Sequence, residues 1–486
     1  MDSQETSHTA RRFPIKKQLV NPYLPSWEYI PDGEPYVFDG RVYVYGSHDR
    51  FNGWVFCQND YVCWSAPVDD LSDWRYEGVI YRKEQDPRNA DGHQCLYAPD
   101  VTIGPDGRYY LYYVLDKECV VSVAVCDTPA GEYQFYGHVH DKDGGLLGER
   151  PGDEAQFDPG LLTEGDRTYL YTGFCWAWNA DRHGPMVTVL GPDMLTIVEE
   201  PVFVAPSGPY SKGSGYEGHE YFEAASMRKV NGKYYFIYSS IRMCELCYAV
   251  SDHPTYGFQY GGVIVANDDS NIDSYKPADK SMYFPNNNHG SIVEINGQWY
   301  IFYHRHTNGT PYSRQGCIEK ISILPDGRIP QVEMTSCIGT PLEGVGEYPA
   351  YIACSLFRTD EGYRSVPGRW MDGRFPKITQ DGRDGDELQG FVDNLGNGWA
   401  AGYKYFDCKG MKAIRVRTRG YANGNVTLRL KWDGEPIARI PVRNTNIWTD
   451  SDITPVDIPD GVQALYFGFE GEQAVSLYSF TLYDTL

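Results

Sequence analysis

The strongest constraint on this chain is a hairpin written five times. In its clearest copy, Tyr221-Phe222-Glu223-Ala224-Ala225-Ser226-Met227-Arg228-Lys229-Val230 runs into Asn231-Gly232 and returns as Lys233-Tyr234-Tyr235-Phe236-Ile237-Tyr238. Two β-prone runs joined by Asn-Gly read as a hairpin, because a two-residue primed turn needs positive φ at its centre. The other copies turn at Asp39-Gly40, Asp106-Gly107, Gly165-Asp166 and Asn296-Gly297. They lie about 60 residues or slightly more apart, a spacing of the same kind as blade repeats. Upstream of each turn, the first strands begin near Asp32, Asp100, Asp158, Glu223 and His289. Radial repetition of small antiparallel sheets is a β-propeller, and its innermost strands converge on one axis. The expected fold class is therefore all-β, a five-bladed propeller with a ring of acids at one mouth of the axis. For a single copy, a polar residue that merely satisfies a turn is the ordinary explanation. Five in register, four of them acidic, point to a site, because gathered carboxylates repel and shift one another's pKa.

Composition narrows the partner. A net charge of −23 argues against nucleic acid and against an anionic membrane, both of which call for basic patches, and is compatible with a neutral ligand. Aromatics make up 15% of the residues, with 40 Tyr, which suits strands and sugar-stacking surfaces. The first 18 residues are polar, without an apolar secretory core, and no apolar run is long enough to span a membrane, so a cytoplasmic location is expected. The twelve cysteines are then expected to be reduced and mostly buried. Cys244-Glu245-Leu246-Cys247 is one CxxC without a second pair, which favours packing over zinc.

Along the chain, residues 1–345 are assigned to the propeller, with residues 1–20 as a tail. Residues 346–356 are assigned as a linker and 357–486 as an accessory β-sandwich, in which short strands alternate with turn signals and Trp399, Trp432 and Trp448 are core candidates. Trp27 and Trp54 are equally suited to a pocket or to packing. Phe174-Cys175-Trp176-Ala177-Trp178 is a candidate stacking platform, with Trp176 its expected substrate contact, or else blade-to-blade core. His219 and Glu220, in a Gly/Ser-rich loop before Glu223, read as solvated loop residues. Arg305, ending the fifth copy's second strand, is a candidate to approach substrate or tune an acid.

Several carboxylates and little else suit glycoside hydrolysis. One protonated acid serves the leaving oxygen, one carboxylate activates water or attacks the anomeric carbon, and a third can raise the acid's pKa. Spacing alone does not divide these roles. The chain resembles glycoside hydrolase family 43 over roughly residues 21–345. The resemblance is carried by Pro31-Asp32, Phe157-Asp158-Pro159-Gly160-Leu161 and Phe222-Glu223-Ala224, with Tyr97-Ala98-Pro99-Asp100 and Asn288-His289-Gly290-Ser291 beside them. It implies a five-bladed propeller and an inverting mechanism with Asp32 as general base, Glu223 as general acid, and Asp158 orienting substrate and raising the acid's pKa. His289 matches a histidine near an axial cation or water site, calcium in some members, and is carried over as a substrate-binding and metal-site candidate. Asp100, at a variable position, ranks below the three as a substrate contact. Glu223-Ala224-Ala225 replaces the family's usual Glu-Gly-Pro, and Asp32-Gly33-Glu34-Pro35 its usual Asp-Pro, which leaves the substrate open. The resemblance implies release of xylosyl or arabinofuranosyl units from small plant-derived oligosaccharides, without a cofactor for the chemistry. The C-terminal part loosely resembles family 6 carbohydrate-binding modules. A retaining fructan-type five-bladed glycosidase and a non-catalytic sugar-binding propeller are the alternatives.

Overall fold

The structure, a computed structural model, describes residues 18–359 and 375–485. Most of the tail expected over residues 1–20 falls outside that range. Five antiparallel sheets come first, each with its strands in chain order. Four have four strands and begin at Glu34–Phe38, Asp100–Ile103, Gly160–Glu164 and Tyr221–Val230; the fifth has three, Ile292–Ile295, Gln298–His306 and Arg314–Ile321. Three of the five turns take the predicted left-handed conformation at both central residues: φ is 47° and 76° at Asp39 and Gly40, 49° and 81° at Asn231 and Gly232, and 50° and 77° at Asn296 and Gly297; in the other two only the glycines, Gly107 at 83° and Gly165 at 64°, are left-handed.

The first strands close a ring. Tyr36 of blade 1 donates to Asp100 of blade 2 at 2.7 Å, and Asp100 accepts the Leu161 amide of blade 3 at 2.7 Å. Blade 3 lies beside blade 4 through their first strands. Arg228 of blade 4 donates to the Ile292 carbonyl of blade 5 at 3.1 Å, and a parallel bridge joins Gly290 to Gly33 of blade 1. Gly290 is required there, since a Cβ would sit 1.9 Å from the Phe302 carbonyl oxygen. The blades adhere through buried faces, such as Tyr45, Tyr61, Tyr81, Leu111 and Tyr113 between blades 1 and 2. The third strand of blade 5 does not present a bare edge: Tyr23 donates its amide to Gly316, and the Asn21 side chain both accepts from the Ile318 amide at 2.9 Å and donates to its carbonyl at 2.8 Å.

Residues 342–485 build two further sheets around a separate core that includes Phe357, Trp399, Tyr403, Phe467 and Phe480. The stretch 346–356, expected as a linker, belongs to this sandwich. Gly346–Pro349 pairs with the strand Ala474–Tyr483, and Ser355–Arg358 pairs with Trp399–Cys408. Its alternating burial was too short to stand out in the sequence. Trp399 is buried, whereas Trp432 only flanks the core and Trp448 packs on Phe391 and Tyr478. The sandwich is locked to the propeller. The buried Lys404 ammonium reaches Asp269 at 2.8 Å and Glu333 at 3.2 Å, and lies 3.8 Å over the Tyr275 ring. Among the described residues no helix is long and apolar enough to cross a membrane.

Candidate active site

Asp32, Asp158 and Glu223 line one cavity of about 290 Å³, together with His289, Arg314 and a set of aromatic residues. All three carboxyl groups are buried, and the backbone is unusual at each. Asp32 and Asp158 hold φ of 57° and 44°. Glu223 sits where the pairing of Tyr221–Val230 with Lys233–Ser240 shifts register, and Ala224 beside it has φ of 67°. A bulge of this kind re-aims a side chain, and left-handed non-glycine residues persist where the surroundings enforce them, commonly at functional sites.

The environments of the acids differ. Burial alone would raise Asp32, but the Arg314 guanidinium at 2.9 Å outweighs it and holds the carboxyl below the usual carboxylate range. His304 is fixed. Its Nε2–H donates to the Asn287 carbonyl at 2.8 Å, which leaves Nδ1 to accept the Asp32 amide at 3.3 Å. Burial keeps that ring neutral. Glu223 goes the other way: burial first, then the negative charge of Asp32, push it up to about 8 against the pull of Arg314. Asp158 is also raised well above the ordinary range, by burial and then by Glu223 and Asp32, although it accepts the Ala224 amide at 3.0 Å. Asp158 and Glu223 therefore titrate as a pair.

His289 lines the cavity with Nδ1 3.6 Å from Asp158 and 4.0 Å from Asp32. Burial, outweighing its acidic neighbours, keeps the imidazole neutral. Its Nε2 faces Glu34 Oε1 at 3.8 Å, and among the described residues neither of these buried atoms has a hydrogen-bond partner.

Trp176 also lines the cavity, stacked on Trp178 with centroids 5.0 Å apart and 14° between planes; Trp178 is 75% exposed. Trp176, Phe222, Phe174, Phe157 and Tyr97 form a continuous aromatic wall with neighbouring centroids 4.8 to 5.5 Å apart. Trp27 packs against Trp64, and Trp54 is exposed on the loop that carries Phe56 into the cavity.

Two expected substrate contacts lie outside the cavity. Asp100 is fully buried and spends its oxygens on Tyr36, Val101 and Leu161. Arg305 is buried at the seam with the sandwich, donating to the carbonyls of Ala353 and Tyr351 and to Gln315. His219 and Glu220 also stay clear of it, His219 bonded to Glu245 at 2.8 Å and Glu220 to Ser211 at 2.7 Å. Glu245 and Cys247 gather with His219, but Glu245 already takes bonds from Ser240, Arg242 and Asn271 as well.

Sequence reading missed Arg314 and its partner Asp49. Asp49 accepts the Arg314 amide and side chain on Oδ2 at 3.0 and 2.8 Å, and the Cys57 amide on Oδ1 at 2.9 Å. It also missed Phe157 and Phe222 as wall residues. Their signal was available, since each directly precedes a ring acid.

Residues 30–329 match the family model for glycosyl hydrolases family 43. The chain is 67% identical over 471 residues, 96% of its length and 99% of the relative's, to a xylosidase/arabinosidase of Thermoclostridium stercorarium. A family 43 β-xylosidase/α-arabinofuranosidase from a compost microbial metagenome, solved with xylotriose in a calcium-free form, is 26% identical with a TM-score of 0.51, covering 65% of this chain and 98% of that one. An arabinoxylan arabinofuranohydrolase of Bacillus subtilis matches the fold over 96% of this chain and 97% of its own, at 19% identity and TM-score 0.51.

Proposed function

The chain belongs to glycosyl hydrolases family 43 and is a glycosidase, and we propose that its cavity removes terminal xylosyl or arabinofuranosyl units from short oligosaccharides with inversion at the anomeric carbon. The observation that carries this reading is the split between two acids in one cavity. Asp32 is held ionised by Arg314, while Glu223 is held protonated at neutral pH. Such a separation assigns base and acid. Asp32 takes a proton from water as the oxygen attacks the anomeric carbon; Glu223 gives its proton to the departing oxygen. Asp158, bonded to the Ala224 amide next to Glu223, keeps a second carboxyl close and helps hold the acid's proton. Hydrolysis by two carboxyl groups and water takes no cofactor. A panel of 4-nitrophenyl pentosides and hexosides tests the reading: turnover confined to β-xyloside or α-L-arabinofuranoside supports it, and binding without hydrolysis across the panel overturns it.

Substrate-chain length should be read by the aromatic wall. Stacking of a ring on an indole contributes about 1 kcal/mol or more. Trp176→Ala is expected to raise KM for a pentose disaccharide about tenfold with little change in kcat, measured by steady-state kinetics.

A cation beneath the acids is part of the proposal. The unpartnered Glu34 Oε1 and His289 Nε2 call for a polar species between them. One carboxylate oxygen and one neutral ring nitrogen, with water completing the shell, fit a hydrated calcium, an ion that prefers oxygen. When bound, it supplies positive charge near the acids. Calorimetric titration of chelator-treated protein with calcium is expected to show one site, lost in His289→Ala. Cytoplasmic residence belongs to the same proposal, and a short imported oligosaccharide suits exo action; cell fractionation tests it.

A further inference from the structure

The sandwich reaches the cavity wall through a carboxylate. Its loop 380–389 crosses onto blade 1. There Asp384 accepts the Phe51 amide on Oδ1 at 2.7 Å and the Asn59 side chain on Oδ2 at 3.1 Å. These bonds tie down both ends of loop 51–59, which carries Phe56 and Cys57 into the cavity wall. Neighbouring contacts hold the same seam: Tyr29 donates to Gln380 at 2.8 Å and stacks on Phe51, and Asn308 donates its amide to the Ile378 carbonyl at 2.7 Å and its side chain to Asn52 at 2.8 Å. Within the loop, the Cys57 amide donates to Asp49, which also binds Arg314. Phe56 is wedged between the Tyr312 ring, 4.8 Å between centroids, and the Arg314 guanidinium, 4.8 Å above its face.

We propose that Asp384 is a positioning residue: the sandwich uses its carboxylate to hold loop 51–59, and with it Phe56, in the shape that binds the sugar. The loop's own bonds do not replace this contact. Among the described residues the Phe51 amide is bonded to Asp384 rather than to a blade strand, and Asn59 otherwise donates its side chain to the Asp49 carbonyl at 3.2 Å. A wall that shifts by about an ångström weakens substrate positioning without touching the acids. The kinetic part of the inference rests on the glycosidase reading above; the structural part does not.

The full-length chain and its Asp384→Ala variant are compared by hydrogen–deuterium exchange of peptides covering residues 50–59 and by steady-state kinetics on a 4-nitrophenyl pentoside. The variant is expected to exchange these amides at least tenfold faster. Its KM should rise about five- to tenfold with kcat within twofold. Asp384→Asn, which keeps the shape but offers one acceptor in place of two, should fall between. Glu470→Gln, in an exposed pair with Arg439 elsewhere on the sandwich, should match wild type in both measurements. Unchanged exchange in both Asp384 variants overturns the proposal, and so does faster exchange with unchanged KM. If Asp384→Ala does not fold, Asp384→Asn decides by the same two criteria. A wild-type chain that hydrolyses no pentoside sinks the glycosidase reading instead, and exchange alone then decides whether Asp384 holds the loop.

Discussion

Glu223→Gln is expected to lower kcat/KM on a pentose disaccharide by about 10²–10⁴-fold, the usual contribution of a positioned proton donor. The amide keeps the size and hydrogen-bonding reach of the native side chain in its bulge, so the fold should survive. The loss should depend on the leaving group. A sugar alkoxide needs the proton almost fully, whereas 4-nitrophenolate is stable without it, so the aryl glycoside should lose far less. The pH profile gives a second check with a definite sign. Burial and the charge of Asp32 raise Glu223 to about 8, so the active, protonated form is lost as pH rises through that value. The wild-type kcat/KM should fall on the alkaline side near pH 8, and the variant should lack that limb. Because Asp158 and Glu223 share their titration, the limb reports the pair. Equal losses on both substrates, or an alkaline limb that survives in the variant, would remove Glu223 from the acid's role.

The ring of hairpins was legible because each turn demands φ that few residues tolerate, so Asp39-Gly40, Asn231-Gly232 and Asn296-Gly297 mark their own places in the sequence. Counting back from the turns then located Asp32, Asp158 and Glu223. The same count located Asp100 equally well, and there register stopped being informative. Whether a carboxyl at that level faces the cavity or the space between blades depends on neighbours such as Tyr36 and Leu161, which come from other blades. Arg314 was hidden for a related reason. Its partner Asp49 is 265 residues away, brought beside it only when blade 5 closes on blade 1. Arg305 is the reverse case: a residue at a promising strand end that the returning chain at Tyr351 and Ala353 covers. Local signals thus fix strands and turns, while contacts made by ring closure and by the sandwich decide which polar groups remain free for chemistry.

Asp32→Asn is expected to abolish turnover on the disaccharide and the aryl glycoside alike, by about 10²–10⁴-fold in kcat. The contrast with Glu223→Gln is the diagnostic. A base acts on the water, and every substrate needs the same water, so a better leaving group brings little relief. The amide is nearly isosteric, and Arg314 retains Asp49 as a buried carboxylate partner at 2.8 Å, so KM and folding should hold. Position and charge both favour this role. Asp32 opens blade 1 on the cavity's rim of acids, is bonded to Arg314 at 2.9 Å, and is the one acid of the three held below the ordinary carboxylate range. A carboxylate so stabilised is a weak base in isolation. It works because the attacking water becomes strongly acidic only as its oxygen bonds to the anomeric carbon, when the proton can move to Asp32 without a free hydroxide forming. The stereochemistry follows. If Asp32 activates water directly, the first sugar seen by proton NMR must carry the anomeric configuration opposite to the substrate's. If Asp32 were instead a nucleophile, two displacements would return the original configuration. Retention in the wild-type product, or disaccharide turnover by Asp32→Asn within tenfold of wild type, defeats the assignment of Asp32 as base.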